Sequence, residues 1–329
     1  MIKKISIVCL FGFSTVMSGN VMAQGHSDEI AKLISQERAK QIARQISNNI
    51  ARRISEDLTN AELASIAPTA SLGNANPLAA SADDVDSWLP DAAWVTSSWS
   101  EISDDSALNT HVDADIYQVT GGLDKQLGDW FFGLSTTYAY TETEIGGFGS
   151  QSDTHTVTVT PYAAYVINNN FFISALTGYS YSRGEPDVSG INADTDTDEY
   201  TSELDLNGLQ VIGDWTLNGK AGFRYSHTDR YFDNGTPIAD NDQDNWTYLV
   251  DAQVTYSFER FIPGLRMSAG ALYEYTETED GEDDGVLYMG TGIDYYVSKS
   301  FTVGMNYSHD VNNEDIDINS VGFNLRLAL

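Results

Sequence analysis

Trp215-Thr216-Leu217-Asn218-Gly219-Lys220-Ala221-Gly222-Phe223-Arg224-Tyr225-Ser226 is the stretch that decides the fold. Successive side chains of a strand point to opposite faces. Trp215, Leu217, Ala221, Phe223 and Tyr225 therefore share one side, and Thr216, Asn218, Lys220, Gly222, Arg224 and Ser226 the other. A buried soluble strand would turn the apolar side inward and the charges to water. Here the next segments repeat the same split. Trp246, Tyr248, Val250, Ala252, Val254, Tyr256 and Phe258 oppose Thr247, Asp251, Gln253, Thr255 and Ser257. Leu265, Met267, Ala269, Ala271, Tyr273 and Tyr275 oppose Arg266, Ser268, Gly270 and Glu274. Working outward, the alternation runs over residues 92–329, in segments long enough to cross a bilayer as tilted strands.

The connections alternate as well. Leu127–Asp129, Asn168–Asn170, Gly213-Asp214, Phe258–Gly264 and Ser298–Ser300 are short. Ser103–Ala114, Thr143–Thr154, Gly184–Glu199, Asp229–Asn245, Glu277–Gly285 and His309–Asp315 read as long and acidic loops. Five short turns and six long loops predict a twelve-stranded antiparallel transmembrane β-barrel, all-β, with short periplasmic turns and longer outside loops. Closure satisfies every backbone group in lipid, which an open sheet cannot do. Aromatics gather at strand ends, as Trp130, Phe132, Tyr138 and Tyr140, then Phe171, Tyr179 and Tyr181, in the pattern of two interfacial girdles.

The faces assign roles. The apolar face should meet lipid, since charges there would be penalised by several kcal/mol. Glu203, Asp205, Lys220, Arg224, Asp251, Arg266, Glu274, Asp294 and Arg326 should then line the lumen. Their mixed signs predict either an ion-paired, partly filled interior or a narrow polar pore. Asp205 and Asp251 are the expected partners of Lys220 and Arg224 by strand order. In the last strand Val321, Phe323, Leu325, Leu327 and Leu329 alternate with polar or small residues. This resembles the C-terminal signal read by the barrel-assembly machinery, with Leu329 where Phe or Trp is usual.

Upstream, Lys3 and Lys4 precede a short apolar run, Ile5 to Val16, and Val21-Met22-Ala23 offers a cleavage site. Residues 1–23 are expected to be a signal peptide, cleaved before Gln24. Cys9 is the one cysteine and falls inside it, so no disulfide or thiolate chemistry is expected afterwards. Residues 24–66 form a helical region. Ile30, Ile34, Ile42, Ile46, Ile50, Ile54 and Leu58 recur at four-residue multiples between a Ser27 cap and Leu58. That amphipathic helix could pack on an apolar surface or self-associate, enter the lumen, or lie on a membrane. Residues 67–91, rich in Ala, Ser, Asn and Pro, read as a flexible linker, with one helical turn at Asp83–Trp88.

Charge and chemistry exclude several classes. The net charge is −31, and from residue 67 onward there are 42 acids and nine bases, which argues against nucleic acid as a partner. Asp194, Asp196 and Asp198 are spaced like the start of a calcium loop, but Glu199 and Asp205 stand where such a loop needs Gly and Glu. No dedicated metal site and no cofactor is expected. Divalent cations should gather on the acidic loops generally, beside lipopolysaccharide. The five histidines, His26, His111, His155, His227 and His309, form no triad with a serine on a shared face, so no enzyme is expected.

Gln118–Asp124, then Gln126-Leu127-Gly128-Asp129-Trp130 and Gly133–Tyr140, resemble the β-domain, or translocator, of autotransporters. The resemblance extends over residues 92–329. It implies a twelve-stranded barrel in the outer membrane of a Gram-negative bacterium, an N-terminal passenger and a helix crossing the pore. Here about 65 residues stand where the passenger would be. The expected function is anchoring or display of a short helical segment; the alternative is a small porin for ions or small polar solutes.

Overall fold

The computed structural model describes residues 34, 37–47, 49–51, 54, 89–107, 110–146, 150–187, 194–232, 237–278, 284–298, 300–312 and 316–329. The signal peptide at 1–23, the Ser27 cap and the Asp83–Trp88 turn lie outside the described residues.

Twelve strands follow one another: β1 Ala92–Ala107, β2 Thr110–Leu127, β3 Trp130–Ile145, β4 Ser150–Asn168, β5 Phe171–Asp187 and β6 Thr195–Ile212. Then come β7 Trp215–Phe232, β8 Pro237–Ser257, β9 Leu265–Thr278, β10 Asp284–Ser298, β11 Phe301–Asp310 and β12 Ile316–Ala328. Each pairs antiparallel with its sequence neighbours, and β1 pairs with β12 from Ala92↔Ala328 to Asp104↔Ile316, closing the barrel. Gly128 and Gly213 take φ of 62° and 61° in two-residue turns, the left-handed geometry that tight hairpins require.

Alternation fixes inside and outside. Leu123, Phe132, Leu217, Phe223, Val250 and Leu325 are exposed on the outer face. Thr120, Thr137, Thr160, Ser174 and Asn207 are buried on the inner one. An apolar outer belt around a polar interior suits lipid outside the barrel.

The loops depart from the sequence reading. The residues read as long acidic loops are largely strand. β1 and β2 run to Ala107 and from Thr110, where a loop over Ser103–Ala114 was expected, and β6 begins at Thr195 inside the expected loop Gly184–Glu199. The ladder continues because a strand above the bilayer needs no apolar face. Its polar side chains pair across it instead: Trp99 Nε1 donates to Asp115 (2.8 Å), Ser103 Oγ to Asp113 (2.9 Å) and Gln151 Nε2 to Glu144 (2.8 Å).

Candidate functional site

The described helical residues between 34 and 54 lie inside the barrel. Ile42, Ile46, Ile50 and Ile54 pack with Trp94, Phe131, Tyr162, Ala164, Phe172 and Leu209, inward residues toward the short-turn ends of β1 and β3–β6. Ile34 packs instead with Ile102, Val112, Ala114, Ile116, Leu249, Leu272, Tyr288 and Ile318, toward the other rim. The helix thus runs down the lumen, its earlier residues at the long-connection side. Of the three fates open to an amphipathic helix, the apolar inner wall selects the lumen, because it supplies the surface the isoleucine row must bury.

Polar contacts hold the rest of the helix. Arg38 donates to Thr156 and to Ser182 (3.4 Å), on β4 and β5. Gln41 donates to Ser100 and accepts from Ser98 (2.9 Å), and Thr96 donates to Gln45 (2.7 Å). Arg326, on β12, donates to the Asn49 carbonyl (3.1 Å), one of the residues that join wall to helix.

A buried charge cluster lies on the β6–β9 wall. Glu203 is its centre, 3.1 Å from Lys220 Nζ and 2.8 Å from Arg224 Nε. Asp205 is 3.5 Å from Lys220, and Glu274 3.4 Å from Arg224. Lys40 joins this cluster from the helix: it pairs with Glu37, stands 3.9 Å from Glu274 and lies 3.6 Å over the Tyr288 ring. Glu203, Asp205, Lys220, Arg224, Glu274 and Arg326 are all buried. Asp251, Arg266 and Asp294 are half-buried beside a lumen cavity, with Arg266 donating to Tyr296 (3.1 Å). Asp251 stands opposite Lys220 in register, yet Glu203 and Asp205 hold that lysine. The sequence reading named Asp205 and Asp251 and missed Glu203 as the shared acid. Glu37, Lys40 and Tyr288 were missed too; the charges within the helix were the available signal.

The remaining candidates lie elsewhere. Asp194 pairs with Arg183 (2.7 Å), Asp196 accepts from Tyr181 (2.8 Å), and Asp198 accepts from Tyr179 (2.5 Å) and Tyr231 (2.7 Å). Asp196 and Asp198 sit in strand, not loop. His227 contacts Asp244 (2.7 Å) and His309 contacts Asn319 (3.1 Å), both on the outward face. Val321, Phe323, Leu325 and Leu327 form the lipid-facing row of β12, and Leu329 follows its end.

Residues 93–308, more than half of the chain, match the family model of the autotransporter β-domain. The chain belongs to the autotransporter β-domain family. Solved autotransporter barrels share the fold. The β-domain of the Bordetella autotransporter BrkA is 16% identical with a TM-score of 0.62, covering 73% of this chain and 100% of that one. The translocator domain of NalP from Neisseria meningitidis is 13% identical with a TM-score of 0.58, covering 77% and 94%. The transport unit of AIDA-I from Escherichia coli is 12% identical with a TM-score of 0.56, covering 83% and 99%. No curated protein matches the sequence. As an autotransporter-type barrel, the protein is one of the outer membrane.

Proposed function

We propose that this autotransporter β-domain anchors the helix bearing Ile34, Ile42, Ile46, Ile50 and Ile54 in the lumen and presents the chain before Ile34 on the long-connection side. The observation that carries this is the direction of the helix, with Ile34 beside Ile102, Val112 and Ile318 and the later isoleucines beside Phe131, Phe172 and Leu209. Long connections face outward and short turns the periplasm in barrels of this class. Export through a cleaved signal peptide, with Gln24 leading the mature chain, belongs to the same reading. So do contacts of the apolar belt with lipid and lipopolysaccharide, and recognition of β12 by the barrel-assembly machinery. No catalysis is part of this reading.

Two epitope tags test the proposal, one between residues 26 and 28 and one near residue 60. Protease added to intact cells should remove the first and spare the second. Protection of both, or loss of the second alone, overturns display.

A further inference from the structure

β11 and β12 part at their long-connection end. His309↔Asn319 is the last rung between them. Just beyond it the Asp310 carboxylate reaches back across the gap and accepts from the Ile318 amide. That bond brings Asp310, which is buried, beside the outward residues His309 and Asp317. Among the described residues these three form the one group of metal-ligating side chains whose donor atoms converge, all within 4.8 Å of one another. His309 Nδ1 is 3.8 Å from Asp310 Oδ1 and 3.1 Å from Asn319 Oδ1. Tyr307 donates to the same Asn319 oxygen (2.9 Å) and orients the amide. Asn312 bonds the backbone of Gly285 and Leu287, which ties the mouth of this hairpin to β10.

We propose that His309, Asp310, Asp317 and Asn319 form a binding site for one divalent transition-metal ion, zinc being its type, at the long-connection rim. Donors held about 2.0–2.2 Å from a tetrahedral ion lie about 3.4 Å apart. The two distances at Nδ1 straddle that value, and the exposed Asp317 can close the remainder by turning its side chain. An amide oxygen only accepts, so Nδ1 now carries the proton between His309 and Asn319. The ion takes that proton's place, and the neutral imidazole keeps a proton on Nε2. Two carboxylates balance the charge of the ion. The imidazole sets the metal class: it suits zinc, copper and nickel, whereas calcium and magnesium take oxygen ligands. That preference separates this site from the general attraction of cations to acidic loops. The site lies outside the lumen, so it stands or falls apart from display of the chain before Ile34.

Calorimetric titration tests it. The folded, metal-stripped chain, carrying no histidine tag, is titrated with zinc chloride in a zwitterionic detergent with calcium in excess. One equivalent of zinc should bind. His309→Gln and Asp317→Ala should each weaken binding at least about tenfold, the smallest loss expected even for a residue that only supports a ligand. Asp317 is exposed, so its variant tests ligation without disturbing a buried group. His227→Gln should bind as the parent does, because Asp229 (3.3 Å) and Asp244 (2.7 Å) already occupy both of its ring nitrogens. No zinc binding by the parent, displacement of zinc by calcium, undiminished affinity in either His309→Gln or Asp317→Ala, or an equal loss in His227→Gln overturns the site.

Discussion

Glu203 shows what one side chain does in this interior. It is buried between two bases, Lys220 and Arg224, and its loss leaves both without their closest acid. Removing one partner of a buried ionic cluster is severe, about 3–5 kcal/mol, whereas replacing the whole cluster by apolar groups of similar volume is often neutral. Glu203→Gln should therefore lower the urea midpoint of the folded barrel strongly, and adding Lys220→Met, Arg224→Met and Asp205→Leu, which leaves Glu274 to Lys40, should recover much of that loss. A quadruple variant no better than the single would remove Glu203 from the centre of the cluster. Strand parity made the inward direction of these charges legible in the sequence. It could not pair them. Side chains this long reach diagonal neighbours as well as opposite ones, and Glu274 divides itself between Arg224 and a lysine 234 positions earlier, Lys40 (274 minus 40).

At the scale of elements, the helix and the wall are matched in charge. Lys40 sits among Glu37, Glu274 and the face of Tyr288. Lys40→Glu would bring three carboxylates together in a poorly hydrated space, where like charges repel strongly. The expected result is a helix that unseats and a conductance near that of the chain without residues 27–58. Adding Glu274→Lys should restore much of the block; no restoration would mean that Lys40 acts through packing alone. The isoleucine row made the helix legible, but not its seat. Phe131, Phe172 and Leu209 are the receiving surface, and each is an inward apolar residue in a strand whose pattern reads as polar inside. Strand ends were hidden for a different reason. Ser, Thr and Asp look like loop in a sequence, yet they extend a ladder above the bilayer wherever cross-strand hydrogen bonds replace burial.

The whole molecule depends on one seam. β12 pairs with both β11 and β1, and Leu329 N still donates to the Asp91 carbonyl (2.8 Å) beyond the last rung. Deleting residues 316–329 would expose two strand edges in lipid, where unpaired backbone groups are heavily penalised. The faster migration of a folded barrel in unheated electrophoresis samples should be lost; its survival would mean that β11 can close on β1. Barrel closure and strand number were legible because they follow from rhythm along the whole chain, which no single residue can disturb.

The place of the helix in the lumen also has an electrical consequence. A voltage across the membrane falls along the path that the helix occupies. Residues 34–54 contain five basic side chains and one acid, a net charge of +4. At roughly 2.3 kcal/mol per charge per 100 mV, four charges crossing the full drop would gain or lose about 9 kcal/mol. That is comparable to the stability of a folded domain. The seat of the helix should therefore respond to polarity, with one sign of voltage pressing it home and the other drawing it out.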